Sequence, residues 1–207
     1  MTEYSDIELL QQFRNADSRH YAFNMIMRKY QQRLYYHVRK IVIDHDDTND
    51  LLQNTFVKVW GSLDKFREDS QLYTWLYRIA TNEALNFLKQ KKKRFFLPIG
   101  DVEHELSSKI SANSNINADQ LLMKLQQAIL SLPEKQRIVF NLRYYEEMKY
   151  DDMSEVLGTS VGALKASYHH AVIKVEKYIT GHYRPRYALL RLLIIFMKLD
   201  GFLPLII

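Results

Sequence analysis

The chain of 207 residues contains no cysteine, which excludes disulfides, thiolate metal sites and a cysteine nucleophile. Its 6 glycines and 4 prolines are too few for a collagen-like chain, a proline-rich stalk or a long glycine-serine linker. The polar, acidic start lacks the features of a secretory signal. Charges interrupt even the apolar segment 187–207, so no stable membrane insertion is expected and the predicted location is the cytoplasm.

Aromatic and charged residues are plentiful. The 14 tyrosines and 10 phenylalanines argue against wholesale disorder, because a disordered chain lacks the side chains that build a core. Lysine and arginine total 29 against 24 acidic residues, which gives a formal net charge of +5. A polyanionic partner is therefore permitted by the charge balance but not demonstrated by it.

Apolar residues recur at helical spacing along most of the chain, which predicts an all-α fold. The predicted first helical domain covers residues 5–93. Residues 94–118 are rich in serine and asparagine and are predicted to form a flexible linker, since they cannot bury enough apolar surface to offset their ordering entropy. A second small helical domain is predicted over 119–181, followed by a hydrophobic helical extension over 182–207.

The second domain carries a helix-turn-helix pattern. A short helix is predicted from Tyr150 to Leu157, Gly158 suits a left-handed turn, and Ser160 can cap a helix from Val161 to about Thr180. The second helix should expose small, cationic and imidazole side chains that suit a DNA groove: Ala163, Lys165, Ala166, Ser167, His169, His170 and Lys174. An ordinary helical hairpin with a solvated face remains the alternative from the pattern alone.

Two faces of the first domain combine polar groups in patterns suited to binding. On a predicted helix from Asp50 to Leu63, the side opposite the core carries Asp50, Gln53, Asn54 and Val57. The next helix, predicted from Tyr73 to Lys91, carries a hydrogen-bonding and cationic stripe: Arg78, Asn82, Asn86 and Lys89. The loop before this helix adds aromatic and basic groups: Lys65, Phe66 and Arg67. Aromatic rings beside cations suit unstacked bases. Each helix alone also fits a solvated amphipathic helix.

Four blocks together resemble a known family. Residues 50–60 (DLLQNTFVKVW) and 74–82 (TWLYRIATN) resemble conserved region 2 of the extracytoplasmic-function (ECF) sigma factors. Residues 132–137 (LPEKQR) and 158–165 (GTSVGALK) resemble their region 4. The four blocks occur in the family's order, with the predicted linker between the two pairs.

The resemblance implies a sigma subunit that binds core RNA polymerase, through its beta and beta-prime subunits, and directs it to duplex and single-stranded promoter DNA. It implies no catalytic residue, metal or cofactor. It assigns Asp50, Gln53, Asn54 and Val57 to the polymerase contact. Its −10 contacts are Lys65, Phe66, Arg67, Arg78, Asn82, Asn86 and Lys89, and its −35 contacts are Ser160, Ala163, Lys165, Ala166, Ser167, His169, His170 and Lys174.

Rival interpretations remain open from the sequence. Asp44, His45, Asp46, Asp47 and Asp50 form an acidic cluster that a metal-dependent enzyme could use, although the EF-hand glycine and glutamate are absent. A stand-alone helix-turn-helix regulator would bind duplex DNA without polymerase. An adaptor would use region 4 to dock another protein. The apolar extension is expected to pack on region 4, and the alternatives are that it binds an anti-sigma factor or another activator, or lies on a membrane surface.

Overall fold

The structure is a computed structural model that describes residues 4–95 and 117–180. The described residues contain helices and short connections but no strand, so the all-α prediction is confirmed. The predicted extension lies outside the described residues, as does all but the two ends of the predicted linker. In chain order the helices are α1 Asp6–Arg14, α2 Arg19–Val42, α3 His45–Ser62, α4 Leu72–Phe95, α5 Asn117–Leu130, α6 Glu134–Tyr144, α7 Tyr150–Leu157 and α8 Val161–Thr180.

The chain divides into two compact units. One contains the described residues of Met1–Arg94 and Asp151–Thr159, and the other contains those of Phe95–Tyr150 and Ser160–Ile207. The first unit thus includes α1 to α4, and the second includes α5, α6 and α8. Helix α7, which precedes the Gly158 turn, groups with the first unit.

Side-chain caps set where the first unit's helices begin. The Ser5 hydroxyl accepts a hydrogen bond from the Glu8 amide at 3.3 Å, and the Glu8 carboxylate accepts one from the Ser5 amide at 2.7 Å, which forms a capping box for α1. Asp44 caps α3 by accepting from the Asp46 and Asp47 amides at 3.0 and 3.1 Å. The expected start of this helix at Asp50 is therefore wrong, because the acidic stretch lies in the first turn, where carboxylates complement the helix dipole.

Helix α2 forms the centre of the first unit and packs against both α1 and α3. Its buried residues recur every three or four positions and include Phe23, Ile26, Tyr30, Leu34, His37, Val38 and Ile41. Phe13 of α1 and Trp60 of α3 meet edge to face with their ring centroids 5.4 Å apart, and Phe23 lies 5.0 Å from Trp60. These aromatic contacts fix the three helices against one another.

A buried histidine joins α2 to α4. His37 is 1% exposed, and its Nε2 lies 2.8 Å from the Thr81 hydroxyl. That hydroxyl donates to the Tyr77 carbonyl at 2.7 Å, so it accepts from Nε2–H. Burial lowers the pKa of His37 to about 3, so the ring is neutral at physiological pH. The neutral ring thus bridges two helices within the core.

The second unit has a core of its own, in which α8 packs on α5 and α6. The cluster consists of Leu125, Ala128, Ile129, Leu132, Phe140, Ala171, Val172 and Val175. Small residues among them allow the helices to approach closely. Phe140 of α6 stacks on Tyr168 of α8 with centroids 5.8 Å apart, which positions the outer face of α8.

Candidate nucleic-acid and protein interfaces

Helix α3 separates a buried side from a polar side. Leu51, Thr55, Phe56 and Val59 face the core, whereas the residues predicted for the protein contact are all exposed: Asp50, Gln53, Asn54 and Val57. Val57 is 70% exposed and is the apolar member of this set. Its position among hydrogen-bonding groups gives this face both the apolar and the polar contacts that a protein interface uses.

Helix α4 presents the predicted stripe on one surface. Arg78, Asn82, Asn86 and Lys89 are all exposed, while Trp75, Leu76 and Ala80 are buried beneath them. Arg78, Asn82 and Asn86 follow a spacing of four residues, so the stripe from Arg78 to Asn86 extends about 12 Å along the helix. One cation and two amides in this line can bind phosphates and base edges along a strand.

The loop between α3 and α4 (residues 63–71) differs in part from the expectation. Lys65 and Arg67, which are predicted to contact the −10 element, are exposed. Phe66 is only 6% exposed, and its ring centroid lies 5.1 Å from that of Trp75. The Phe66 ring therefore packs into the unit instead of offering a free surface to a base, because burial beside Trp75 removes its apolar area from water.

Two arginines from distant positions contact this α3–α4 loop. Arg14 donates to the Glu68 carboxylate at 2.6 Å, and Arg19 forms an ion pair with Asp64. The partners are separated by 54 and 45 positions in the sequence. Neither arginine could be predicted from the sequence, since no local pattern relates residues so far apart.

An open groove of about 490 Å³ runs between α3 and α4. Its lining residues are Lys58, Gly61, Ser62, Ile79, Asn82 and Glu83. Lys58 and Glu83 form an ion pair across it. Asn82 belongs to both this groove and the exposed α4 stripe.

The turn before α8 has the conformation that its residue types favour. Gly158 has a φ of 60°, the left-handed region predicted for it. The Ser160 hydroxyl accepts from the Ala163 amide at 3.4 Å and caps the helix. The predicted DNA-facing residues Ser160, Ala163, Lys165, Ala166, His169, His170 and Lys174 are exposed, and Ser167 is half-buried.

The cations of α8 are oriented by neighbouring residues. The Lys165 ammonium lies 5.7 Å from the Tyr150 ring centroid, and the Arg143 guanidinium lies 5.2 Å from the same ring. Lys174 donates to the side chain of Gln136 at 3.0 Å. Both lysines remain exposed, so they keep a free side for phosphates.

Asp44 and Asp47 of the acidic cluster serve the fold. Asp44 caps α3, and the Asp47 carboxylate accepts from Lys91 at 2.7 Å. Histidine, aspartate and glutamate side chains do not converge in groups of three suited to a metal anywhere in residues 4–95 and 117–180. Within those same ranges, the helices are too short or too polar to span a bilayer.

The cationic and amide stripe of α4, together with the capped helix α8 after a glycine turn, is typical of a helical DNA-binding protein. Comparisons with known proteins identify which kind. Residues 26–94 match the family model "Sigma-70 region 2", and residues 122–175 match "Sigma-70, region 4". The RNA polymerase sigma-H factor of Pseudomonas aeruginosa is 30% identical over 86% of this chain and 95% of its own length. The ECF RNA polymerase sigma-E factor of Escherichia coli K12 is 30% identical over 82% and 91%.

Solved structures agree on the fold. CnrH, in complex with the cytosolic domain of CnrY, covers 85% of this chain and 97% of its own, with a TM-score of 0.61 and 24% identity. The sigma factor RpoE of Bartonella quintana, in complex with the anti-sigma factor NepR, covers 76% and 96%, with a TM-score of 0.57 and 25% identity. The chain belongs to the ECF RNA polymerase sigma factors of the sigma-70 family. As a sigma factor it binds core RNA polymerase and promoter DNA in transcription initiation.

Proposed function

We propose that this sigma factor divides its work among three surfaces. The exposed face of α3 around Asp50, Gln53 and Asn54 binds the beta-prime and beta subunits of the polymerase. The α4 stripe and the α3–α4 loop hold the unpaired strand of the −10 element. Helix α8 reads the −35 element as duplex in the major groove.

The observation that supports this division best is the segregation of exposed side chains in the first unit. Asp50, Gln53, Asn54 and Val57 lie on α3, whereas the cationic and amide stripe lies on α4. An acidic and apolar face suits a protein partner, because it would repel phosphates. A face with Arg78, Asn82 and Lys89 suits a polyanion instead.

Strand separation on this proposal is driven by binding and needs no covalent chemistry. Each flipped or unpaired base costs a few kcal/mol, which contacts to the captured strand offset. Asn82 and Asn86 offer amide donors and acceptors to base edges, and Arg78 and Lys89 offer charge to the backbone. The protein itself therefore needs no catalytic residue, cofactor or metal.

Helix α8 presents few permanent cations for a DNA-reading helix. Lys165 and Lys174 are its exposed lysines in the groove-facing set, while Ser167, His169 and His170 supply neutral hydrogen-bonding groups. Fewer phosphate contacts weaken the salt dependence of duplex binding, since each neutralised phosphate adds to the slope. On this proposal the −35 contact adds orientation, and most of the affinity comes from polymerase and the −10 strand.

The regulation and location of the protein are also part of the proposal. Two similar structures contain a bound partner, the cytosolic domain of CnrY in one and the anti-sigma factor NepR in the other. We infer that this sigma factor likewise acts in the cytoplasm and is held inactive by an anti-sigma protein. Co-purification of a bound inhibitor that blocks its association with core polymerase tests this inference.

The experiment that tests the three-surface proposal compares free protein with holoenzyme. Binding is measured to duplex DNA with a −35 element and to forked DNA with an unpaired −10 strand. We expect the free protein to bind both DNAs weakly. After core polymerase is added, we expect binding to be at least tenfold tighter, with the larger gain on the forked DNA. Tight duplex binding that polymerase does not change would instead support a stand-alone helix-turn-helix regulator.

A further inference from the structure

We propose that Arg14 and Arg19 are positioning residues that hold the α3–α4 loop in the conformation which presents Lys65 and Arg67 to the −10 strand. This inference rests on the proposed function of that loop. Neither arginine need touch DNA. Each acts through a carboxylate of the loop, and the two contacts lie on either side of the exposed cations.

The first contact restrains the far end of the loop. Glu68 has a φ of 62°, a left-handed conformation that residues other than glycine rarely adopt. Its carboxylate accepts from the Arg14 guanidinium at 2.6 Å. The backbone just after Arg67 is thus held by an ion pair to the end of α1, in a conformation that the chain would otherwise tend to leave.

The second contact restrains the near end. Asp64 lies in the short 3₁₀ turn Leu63–Lys65 and forms an ion pair with Arg19. The Arg19 guanidinium is itself held in place, 4.3 Å from the Phe13 ring centroid and 5.3 Å from that of Trp60. An arginine fixed by two rings loses little freedom on pairing, so it can orient Asp64 more firmly than a mobile surface lysine could.

The buried ring between the two contacts completes the arrangement. Phe66 packs on Trp75, and its amide donates to the Leu63 carbonyl at 3.1 Å. Its neighbours Lys65 and Arg67 therefore point to solvent on either side of a fixed residue. Three restraints acting on Asp64, Phe66 and Glu68 flank the two intervening cations, which are exposed. Arg67 also forms a long ion pair of 3.8 Å with the exposed carboxylate of Asp69.

The pairing also changes the charge that a DNA strand meets. The loop carries two cations, Lys65 and Arg67, and three carboxylates. Arg14 and Arg19 neutralise Asp64 and Glu68, which would otherwise repel phosphates. Exposed ion pairs are individually weak, so the effect of each on affinity should be modest and should fall as salt is raised.

The test uses full-length protein with core polymerase and a fluorescent single-stranded oligonucleotide that the wild-type holoenzyme selects from a randomised pool. Glu68→Gln and Asp64→Asn each remove a negative charge beside the strand. If charge alone mattered, both would bind the oligonucleotide more tightly than wild type. If the loop instead loses its position, both variants should bind the oligonucleotide more weakly. We expect their affinities at low salt to be threefold to tenfold lower than that of the wild type.

Rescue and control variants complete the design. Arg14→Gln should weaken binding as Glu68→Gln does, and the reversed pair Arg14→Glu with Glu68→Arg should return the affinity to within twofold of wild type. Arg28→Gln removes an exposed arginine from the same unit and should leave the affinity within twofold of wild type. Core-polymerase affinity and Tm should stay near the wild-type values in all these variants.

Three results would overturn the inference. Wild-type or tighter oligonucleotide binding by Glu68→Gln and Asp64→Asn would show that the loop needs no such restraint. An equal loss of core-polymerase affinity would show a general structural defect instead of positioning. A wild-type holoenzyme that selects no oligonucleotide would refute the proposed function, and this inference with it, whereas the first two results leave that function intact.

Discussion

At the scale of single residues, His37 couples the fold to pH. Its ring is enclosed between α2 and α4, with its Nε2 2.8 Å from the Thr81 hydroxyl. Burial is the main cause that lowers its pKa to about 3, and the charge of Lys40 acts in the same direction. An unfolded chain would protonate this histidine near pH 6.5. The unfolded state therefore binds the extra proton first as the pH falls.

The sign of the effect follows from this difference. The contribution of His37 is fully present above pH 6.5 and is lost as the pH falls from there towards 3. We expect about 2 kcal/mol of unfolding free energy to be lost from this group between pH 7 and pH 5. His37→Gln keeps a hydrogen-bond donor for Thr81 but has no group that takes up a proton in this range. The unfolding free energy of the variant should therefore change less between pH 7 and pH 5 than that of the wild type. Denaturant unfolding at several pH values measures the difference.

The control for this prediction is His170→Gln, which changes an exposed histidine in the second unit. It should show the pH dependence of the wild type. Parallel curves for wild type and His37→Gln would contradict the assignment of the pH effect to His37.

Sequence periodicity predicts some single residues and fails for others. His37 falls on the apolar stripe of α2, so its burial could be predicted, but its bond to Thr81, 44 positions away, could not. Phe66 stands in a short loop without periodicity, and its burial on Trp75 depends on how α4 is placed. Contacts between distant positions are the part of the site that local patterns do not contain.

At the scale of elements, α3 and α4 present different exposed surfaces on one compact unit. Their exposed residues do not overlap, and their buried faces share the same core. Exposed side chains can be removed without creating a cavity, so substitutions there report on binding more than on folding. This separation makes the division of labour testable.

Replacing Arg78, Asn82 and Asn86 together with alanine should lower open-complex formation at least tenfold, because three groups that bind the unpaired strand are lost. Association with core polymerase should stay within twofold of wild type. Permanganate reactivity of unpaired thymines measures opening, and a fluorescence titration measures association.

The matched control for the α4 variant replaces Asp50, Gln53 and Asn54 of α3 with alanine. It should weaken association with core polymerase instead. Equal loss of both activities in both triple variants would refute separate surfaces.

The turn between α7 and α8 supports a second prediction at this scale. Gly158 has a φ of 60°, and an added Cβ would meet no atom within 4 Å, so only backbone strain opposes a side chain there. Gly158→Ala should destabilise the protein by about 1 kcal/mol and lower its Tm. Thermal unfolding followed by circular dichroism measures this.

Gly162→Ala is the comparison for Gly158→Ala, since it also adds a Cβ in open space but lies in α8 without a positive φ. It should leave the Tm unchanged or raise it, because alanine favours a helix. A similar fall in Tm for both variants would show that the left-handed turn is not the cause.

Elements were more predictable than individual contacts. Apolar spacing and the glycine turn predict α7 and α8 with the bounds observed, Tyr150–Leu157 and Val161–Thr180. Helix α3 begins five residues before its expected start because the Asp44 cap turns an acidic stretch into a first turn. A cluster of acidic residues is compatible both with a loop and with the capped first turn of a helix, so the sequence alone did not distinguish these two structures for residues 44–48.

At the scale of the whole molecule, the account is that of a sigma factor with two helical units. Both family models match in chain order, and relatives at 30% identity extend over most of the chain. Asn82 in the first unit and Lys165 in the second are both exposed, which the proposed reading of two DNA elements requires. The family and its order of regions were predictable, because four separated blocks carry them. The tertiary contacts that hold the α3–α4 loop could not be predicted from the sequence.

The most direct measurement of the central claim maps transcription start sites in vitro. Purified protein is added to core RNA polymerase on a genomic template library, and the 5′ ends are compared with those from core alone. We expect new, discrete start sites that share paired upstream elements, and we expect the Arg78, Asn82 and Asn86 alanine variant to lose them. Identical 5′ ends with and without the protein on every template would contradict the account.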